Sequence, residues 1–121
     1  MAMNDLIRVL SALSEPTPVR IVNQLARQVL CVGALAKRLG VTHSAVSQHL
    51  RILRDAGLVQ GEKRGYSVHY SLDRKHIRTI SAQVGKWLDG LSSSPEGNCV
   101  DTRRCPRRSD AARGKPATRR R

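Results

Sequence analysis

The groups in this chain best suited to chemistry are three thiols. Cys31 lies in the body of the sequence; Cys99 and Cys105 lie near its C-terminus with five residues between them. A soft trivalent metal or metalloid takes three thiolates in a pyramid. The same thiols also suit redox or persulfide sensing. In a reducing compartment, three cysteines read as ligands or redox groups rather than a disulfide framework. Exposed free thiols are usually avoided, so two in one short segment point to use. A phosphatase or arsenate-reductase loop needs an Arg six residues after its Cys, and the sixth residue after Cys99 is Cys105. No carboxylate pair, glycine-rich phosphate loop or other nucleophile motif is present, so the chain does not read as an enzyme. A zinc site of three Cys and one His lacks a histidine near the tail pair. His43, His49, His69 and His76 fit packing, surface or nucleic-acid-facing roles better.

The elements that position these groups belong to one small domain with a tail. The chain has 121 residues, with Lys and Arg outnumbering Asp and Glu 22 to 9, a net charge of +13. That balance favours a polyanion as partner. Only Tyr66, Tyr70 and Trp87 are aromatic and Phe is absent, so Leu, Val, Ile and Ala must form the core. So few aromatics argue against a base-stacking platform. Residues 92–121 contain one Val and no Leu or Ile. Such a segment cannot offset its ordering entropy, so it is expected to be disordered when alone. The predicted organisation is therefore a domain over 1–91 and a basic tail over 92–121. No apolar run reaches the ~18 residues of a membrane span. The N-terminus lacks a basic segment leading into an apolar run, so cytoplasmic placement is expected.

Apolar spacing predicts a first helix over 4–14, carrying Leu6, Val9, Leu10 and Leu13. Pro18 suits the first turn of a second helix, which carries Val19, Val22 and Leu25 and ends near Gln28. A short third helix over 32–39 stops at Gly40. Thr42 caps a fourth that runs to Ala56 and closes at Gly57. Leu58–Glu62 and Tyr66–Leu72 read as two strands about a turn at Lys63-Arg64-Gly65. A last helix over 74–91 carries Ile77, Ile80, Val84, Trp87, Leu88 and Leu91. The fold class is mainly α with a β-hairpin: five helices ordered α-α-α-α-β-β-α.

Within this order, Ala36, Gly40 and Val46 sit at offsets 0, +4 and +10, the spacing of a helix-turn-helix. The small residue lets two helices cross closely, Gly relieves a positive φ in the turn, and the β-branched residue locks the second helix. His49 takes the third apolar site, a small departure. On the fourth helix, Val46, Leu50 and Leu53 form the buried stripe. Ser44, Ser47, Gln48 and Arg51 lie opposite, preceded by Thr42 and His43. Short hydroxyls, an amide and a guanidinium are groups that reach base edges and phosphates in a major groove. The hairpin behind them presents Lys63 and Arg64 as a wing, suited to flanking phosphates or the minor groove. The pattern is a winged helix-turn-helix that binds double-stranded DNA.

Three stretches carry a family resemblance: Leu13-Ser14-Glu15-Pro16-Thr17-Pro18-Val19-Arg20, Leu30-Cys31-Val32-Gly33-Ala34-Leu35-Ala36, and Val46-Ser47-Gln48-His49-Leu50-Arg51-Ile52-Leu53-Arg54-Asp55-Ala56-Gly57-Leu58-Val59. Together with Tyr66-Ser67-Val68-His69-Tyr70-Ser71-Leu72, they resemble the ArsR/SmtB family of metal- and metalloid-responsive repressors over about residues 4–90. The resemblance implies a homodimer, paired through the first and last helices, that leaves its operator when an inducer binds. It implies no cofactor for DNA binding itself. The apolar stripes Leu6/Leu10/Leu13 and Ile80/Val84/Leu88 are the expected interface.

Cys31 falls on the first position of the family's Cys-Val-Cys motif, but Gly33 and Ala36 occupy its later thiol positions. The family's zinc site on the last helix is also incomplete. Asp73 is present, while Lys75, Lys86 and Asp89 replace two His and a Glu, and His76 is one residue out of step. Some arsenic-responsive members carry thiols after the last helix at a similar interval. The resemblance therefore implies arsenite or antimonite as inducer, with Cys99 and Cys105 as metal ligands and, as the third, Cys31 of either subunit or a tail Cys of the partner. A thiol redox or persulfide response, and a constitutive DNA-binding protein with no inducer, are the alternatives.

Overall fold

A computed structural model describes residues 3–94. Cys99, Cys105 and most of the basic tail lie outside the described residues. The elements run α1 (Met3–Ala12), α2 (Pro16–Leu25), β1 (Leu30–Cys31), α3 (Val32–Leu39), α4 (His43–Asp55), β2 (Val59–Arg64), β3 (Ser67–Leu72) and α5 (Arg74–Leu91). The strands form an antiparallel sheet in the order β1-β3-β2. No described helix is long and apolar enough to cross a membrane.

Local chemistry fixes the boundaries. Pro16 and Pro18 open α2, where missing N–H groups do no harm. Gly40, at φ +69°, ends α3, and the Gly40 and Val41 amides donate back to the Ala36 carbonyl. The Thr42 hydroxyl then accepts a hydrogen bond from the Ala45 amide at 3.1 Å and starts α4. Asp73 does the same for α5 through the His76 amide. Leu58 N–H donates to the Leu53 carbonyl across Gly57, a Schellman closure of α4 that requires the glycine's φ of +83°.

Three features differ from the sequence expectation. Strand β1 carries no alternation because it has two residues, and it exists through its pairing of Leu30 with Tyr70 and Cys31 with His69. Helix α2 stops at Leu25 rather than Gln28, since the chain must turn there into β1. The hairpin turn is Gly65-Tyr66, not 63–65. Arg64 pairs with Ser67, and Gly65 alone takes positive φ, at +64°. The register is set from the other end, where Val59 and Leu72 pair and are both buried.

The core is aliphatic throughout. Ile21, Leu25, Leu35, Val46, Leu50 and Leu53 are its most completely buried large side chains. Ala36 is buried where α3 packs on α4, and Val46 is wholly enclosed, as the crossing of the two helices requires. Helix α1 packs on both α4 and α5.

Two of the three positive-φ glycines among the described residues, Gly40 and Gly57, offer a controlled comparison. A Cβ on Gly57 would stand 2.5 Å from His76 ring atoms, whereas one on Gly40 meets nothing within 4 Å. Left-handed backbone alone costs an alanine ~1–2 kcal/mol. Gly57→Ala is therefore expected to lower unfolding free energy by more than Gly40→Ala, read by urea denaturation. Equal losses would contradict a steric role for His76.

Candidate nucleic-acid interface

Helix α4 carries its buried stripe, Val46, Leu50 and Leu53, against the core. This leaves Thr42, His43, Ser44, Ser47, Gln48 and Arg51 exposed. All six residues predicted on this helix thus occupy one accessible stretch beginning at the Thr42 cap. Four backbone N–H groups at a helix start lack intrahelical partners and carry partial positive charge, which suits a nearby phosphate. His49 is turned away, its side chain 20% exposed and its Nε2 4.0 Å from a Glu15 carboxylate oxygen.

The hairpin stands beside this helix, with β2 packed on α4. Ser47, Gln48, Arg51, Arg54 and Tyr70 line one open concavity of about 410 Å³ between helix and sheet. Arg54, absent from the sequence-derived set, lines it too; its spacing of three from Arg51 places both on one face of α4. Tyr70 reaches the concavity because Gly61 stands opposite it in the β2–β3 register. A Cβ at position 61 would lie 3.0 Å from both Tyr70 Cε1 and Val68 Cγ1.

The two wing cations differ. Lys63 is exposed and makes no ion pair among the described residues. Arg64, also exposed, donates through Nε and Nη2 to one Glu62 oxygen at 2.9 Å each. That solvent-screened pair is worth about 0–1 kcal/mol, little enough for a phosphate to compete with it. Tyr66, placed in a strand by sequence, sits fully exposed at the hairpin tip.

A second cleft, of about 370 Å³, shares Tyr70 with the first. Its lining includes Cys31, Gly33, His43, Tyr66 and Ser67. Cys31 is half-buried at the N-cap of α3, and its side chain accepts no cap hydrogen bond. The other two predicted thiols, Cys99 and Cys105, lie outside the described residues. Among the described residues, no group of three or more His, Cys, Asp or Glu is arranged to hold a metal ion.

The expected dimer stripes need correction. Leu6 and Ile80 are each only 6% exposed and turn into the chain's own interior. The apolar side chains left open on the two terminal helices are Met3, Ile7 and Leu10 on α1 and Trp87, Leu88 and Leu91 on α5. Leu10 and Leu88 of the expected stripes are open, Leu13 and Val84 are half-buried, and Leu6 and Ile80 turn inward because α1 packs on α4 and α5.

Helix α3, turn, α4 and hairpin together define a winged helix-turn-helix. Residues 15–60 match the model of bacterial regulatory proteins of the arsR family. The chain is 44% identical over 78 residues to a transcriptional repressor SmtB homolog of Synechocystis, covering 64% of this chain and 59% of that protein. It is 35% identical over 77 residues to a cadmium resistance transcriptional regulatory protein CadC homolog of Staphylococcus aureus, covering 63% and 64%. The crystal structure of a possible transcriptional regulator for arsenical resistance superposes with a TM-score of 0.59 at 34% identity, over 71% of this chain and 96% of that one. The chain belongs to the arsR family. It spans about three-fifths of the length of the curated relatives it matches.

Proposed function

We propose that the protein is a homodimeric transcriptional repressor that binds double-stranded operator DNA through α4 and the β2–β3 wing, and that a thiophilic inducer releases it. The observation that carries the reading is the exposed run Thr42, His43, Ser44, Ser47, Gln48 and Arg51 beside a wing bearing Lys63 and Arg64. Ser44, Ser47, Gln48 and Arg51 address base edges and phosphates in the major groove, with Arg54 added to them. Lys63 and Arg64 neutralise flanking phosphate, and the chain's net charge of +13 supports the same partner. The Synechocystis relative is named a repressor. Dimerisation is supported by the open apolar side chains of α1 and α5.

The inducer is arsenite or antimonite, held by the thiolates of Cys99 and Cys105 with Cys31 as third ligand. The chain has no other thiols, and one solved relative is described as a possible regulator for arsenical resistance. The route to DNA is mechanical. The segment carrying Cys99 and Cys105 follows α5 in the chain, and α5 belongs to the proposed dimer interface. Clamping that segment onto a three-coordinate ion biases the spacing of the two recognition helices. Inverting a 99:1 preference takes about 5.5 kcal/mol of differential affinity.

Arsenite titration of the DNA complex, followed by fluorescence anisotropy, tests this reading. Wild type is released. Cys99→Ser and Cys105→Ser each keep DNA affinity and lose the response. Release of the Cys99→Ser/Cys105→Ser variant at the same arsenite concentration contradicts the assignment.

A further inference from the structure

Two neighbouring arginines of α4 stand without partners. Among the described residues, the guanidinia of Arg20, Arg38, Arg64 and Arg74 each donate to an oxygen: the Leu39 carbonyl, the Gln24 amide, the Glu62 carboxylate and the Ala26 carbonyl. Those of Arg51 and Arg54 hold none, although the two lie on one helix face at a spacing where like charges repel. Both line the concavity of about 410 Å³, together with Ser47, Gln48 and Tyr70. The Tyr70 hydroxyl makes no hydrogen bond among the described residues either. Carboxylates are kept out of this space. Gly61 pairs with Tyr70 and Glu62 with His69, so the pleat sends Glu62 to the other face of the sheet and Lys63 to the face of Tyr70. Asp55 is exposed and does not line the concavity.

We propose that Arg51, Arg54 and Tyr70 form a seat for a phosphate dianion, free or at the head of a small phosphomonoester, and that this ligand and DNA exclude each other there. The donor set selects the class. Two guanidinia supply charge and N–H donors in a fixed fork, which matches the oxygens of a tetrahedral oxyanion. The Gln48 amide, the Ser47 hydroxyl and the Tyr70 hydroxyl are further donors on the same walls. A dianion between the arginines relieves their repulsion. A backbone phosphodiester carries one negative charge, whereas a phosphomonoester carries close to two at pH 7, so the small ligand neutralises the pair more fully. The volume lies within the ~300–1,000 Å³ of small-molecule sites, and the Tyr70 ring offers a flat wall for the body of an ester. Gly61 keeps that ring in place, since a Cβ there would lie 3.0 Å from Tyr70 Cε1. The seat does not depend on the repressor reading; the exclusion of DNA rests on it.

The test uses the full-length protein free of DNA. Inorganic phosphate and phenyl phosphate are each titrated at constant ionic strength against chloride, read by isothermal titration and by the 15N signals of the arginine Nε atoms. One ligand per chain is expected, with shifts at Arg51 and Arg54. Arg54→Gln should weaken binding ~10-fold and Tyr70→Phe ~3-fold, the loss of a charged and of a neutral hydrogen-bond donor, with circular dichroism unchanged. Arg27→Gln, at an exposed arginine outside the concavity, should change it little. Equal affinity for the two probes supports the free ion, and tighter phenyl phosphate supports the ester. Binding that does not saturate, or that Arg27→Gln weakens as much as Arg54→Gln, would overturn the seat, leaving only attraction to net positive charge. With duplex present, exchanging chloride for phosphate at constant ionic strength should lower wild-type DNA affinity more than that of Arg54→Gln. Equal lowering would overturn the exclusion. A protein that binds no duplex would fail the repressor reading instead, and the DNA-free titration would still decide the seat.

Discussion

Gln48→Ala and Arg51→Ala should each weaken binding to the protein's preferred duplex by ~1–3 kcal/mol, the discrimination carried by a good side-chain–base pairing. Both side chains are exposed on α4 and contribute nothing to the core stripe of Val46, Leu50 and Leu53, so helical content should not change. The loss should be confined to preferred sequence, with binding to unrelated duplex little altered. Lys63→Ala provides the contrast. As an exposed cation without an ion pair among the described residues, it should lower affinity for all duplexes alike and reduce the salt dependence by about one counterion. Competition anisotropy at two salt concentrations separates the two behaviours. Unaltered affinity in both α4 variants would remove that helix from the interface.

A larger effect is expected from the terminal helices. Ile7→Glu combined with Leu88→Glu places charges among side chains that are 52% and 50% exposed in the isolated chain. The monomer tolerates them, since neither residue belongs to the core. A dimer burying them does not, because an unpaired carboxylate is costly to desolvate. Sedimentation should show monomers, and affinity for a two-site duplex should fall ~100-fold or more as one half of a bivalent contact is lost. A protein that remains dimeric would place the interface elsewhere. Ile80→Glu cannot make this distinction, because Ile80 lies in the core and its loss unfolds the chain.

Much of this architecture was legible because its elements are locally specified. Thr42, Gly40 and Gly57 mark the bounds of α3 and α4 by capping chemistry, and Ala36 and Val46 report a close helix crossing without reference to the rest of the fold. The recognition face followed from one buried stripe and the helical period. What escaped depends on contacts distant in sequence. Strand β1 is too short to show a period and forms because β3 is available to pair with it. The hairpin turn lies one residue later than its composition suggests, since burial of Val59 and Leu72 fixes the register. Arg54 joins the α4 face because Tyr70, sixteen positions on, forms the opposite wall. The proximity of His43 to Cys31 was likewise invisible, because it depends on α4 folding back over the start of α3. The inward turn of Leu6 and Ile80 was hidden for the same reason: both edges of each terminal helix are apolar, and only packing decides which turns inward.

The central claim is that a two-fold dimer reads duplex DNA through α4 and its wing. In vitro selection from a random duplex pool, with wild type and the Gln48→Ala/Arg51→Ala variant in parallel, tests it most directly. The account predicts that wild type enriches an inverted repeat whose half-sites lie about one or two helical turns apart, ~10–10.5 or ~20–21 base pairs between centres, and that the variant enriches nothing. Wild-type enrichment no stronger than the variant's, or a selected site without two-fold symmetry, would contradict it.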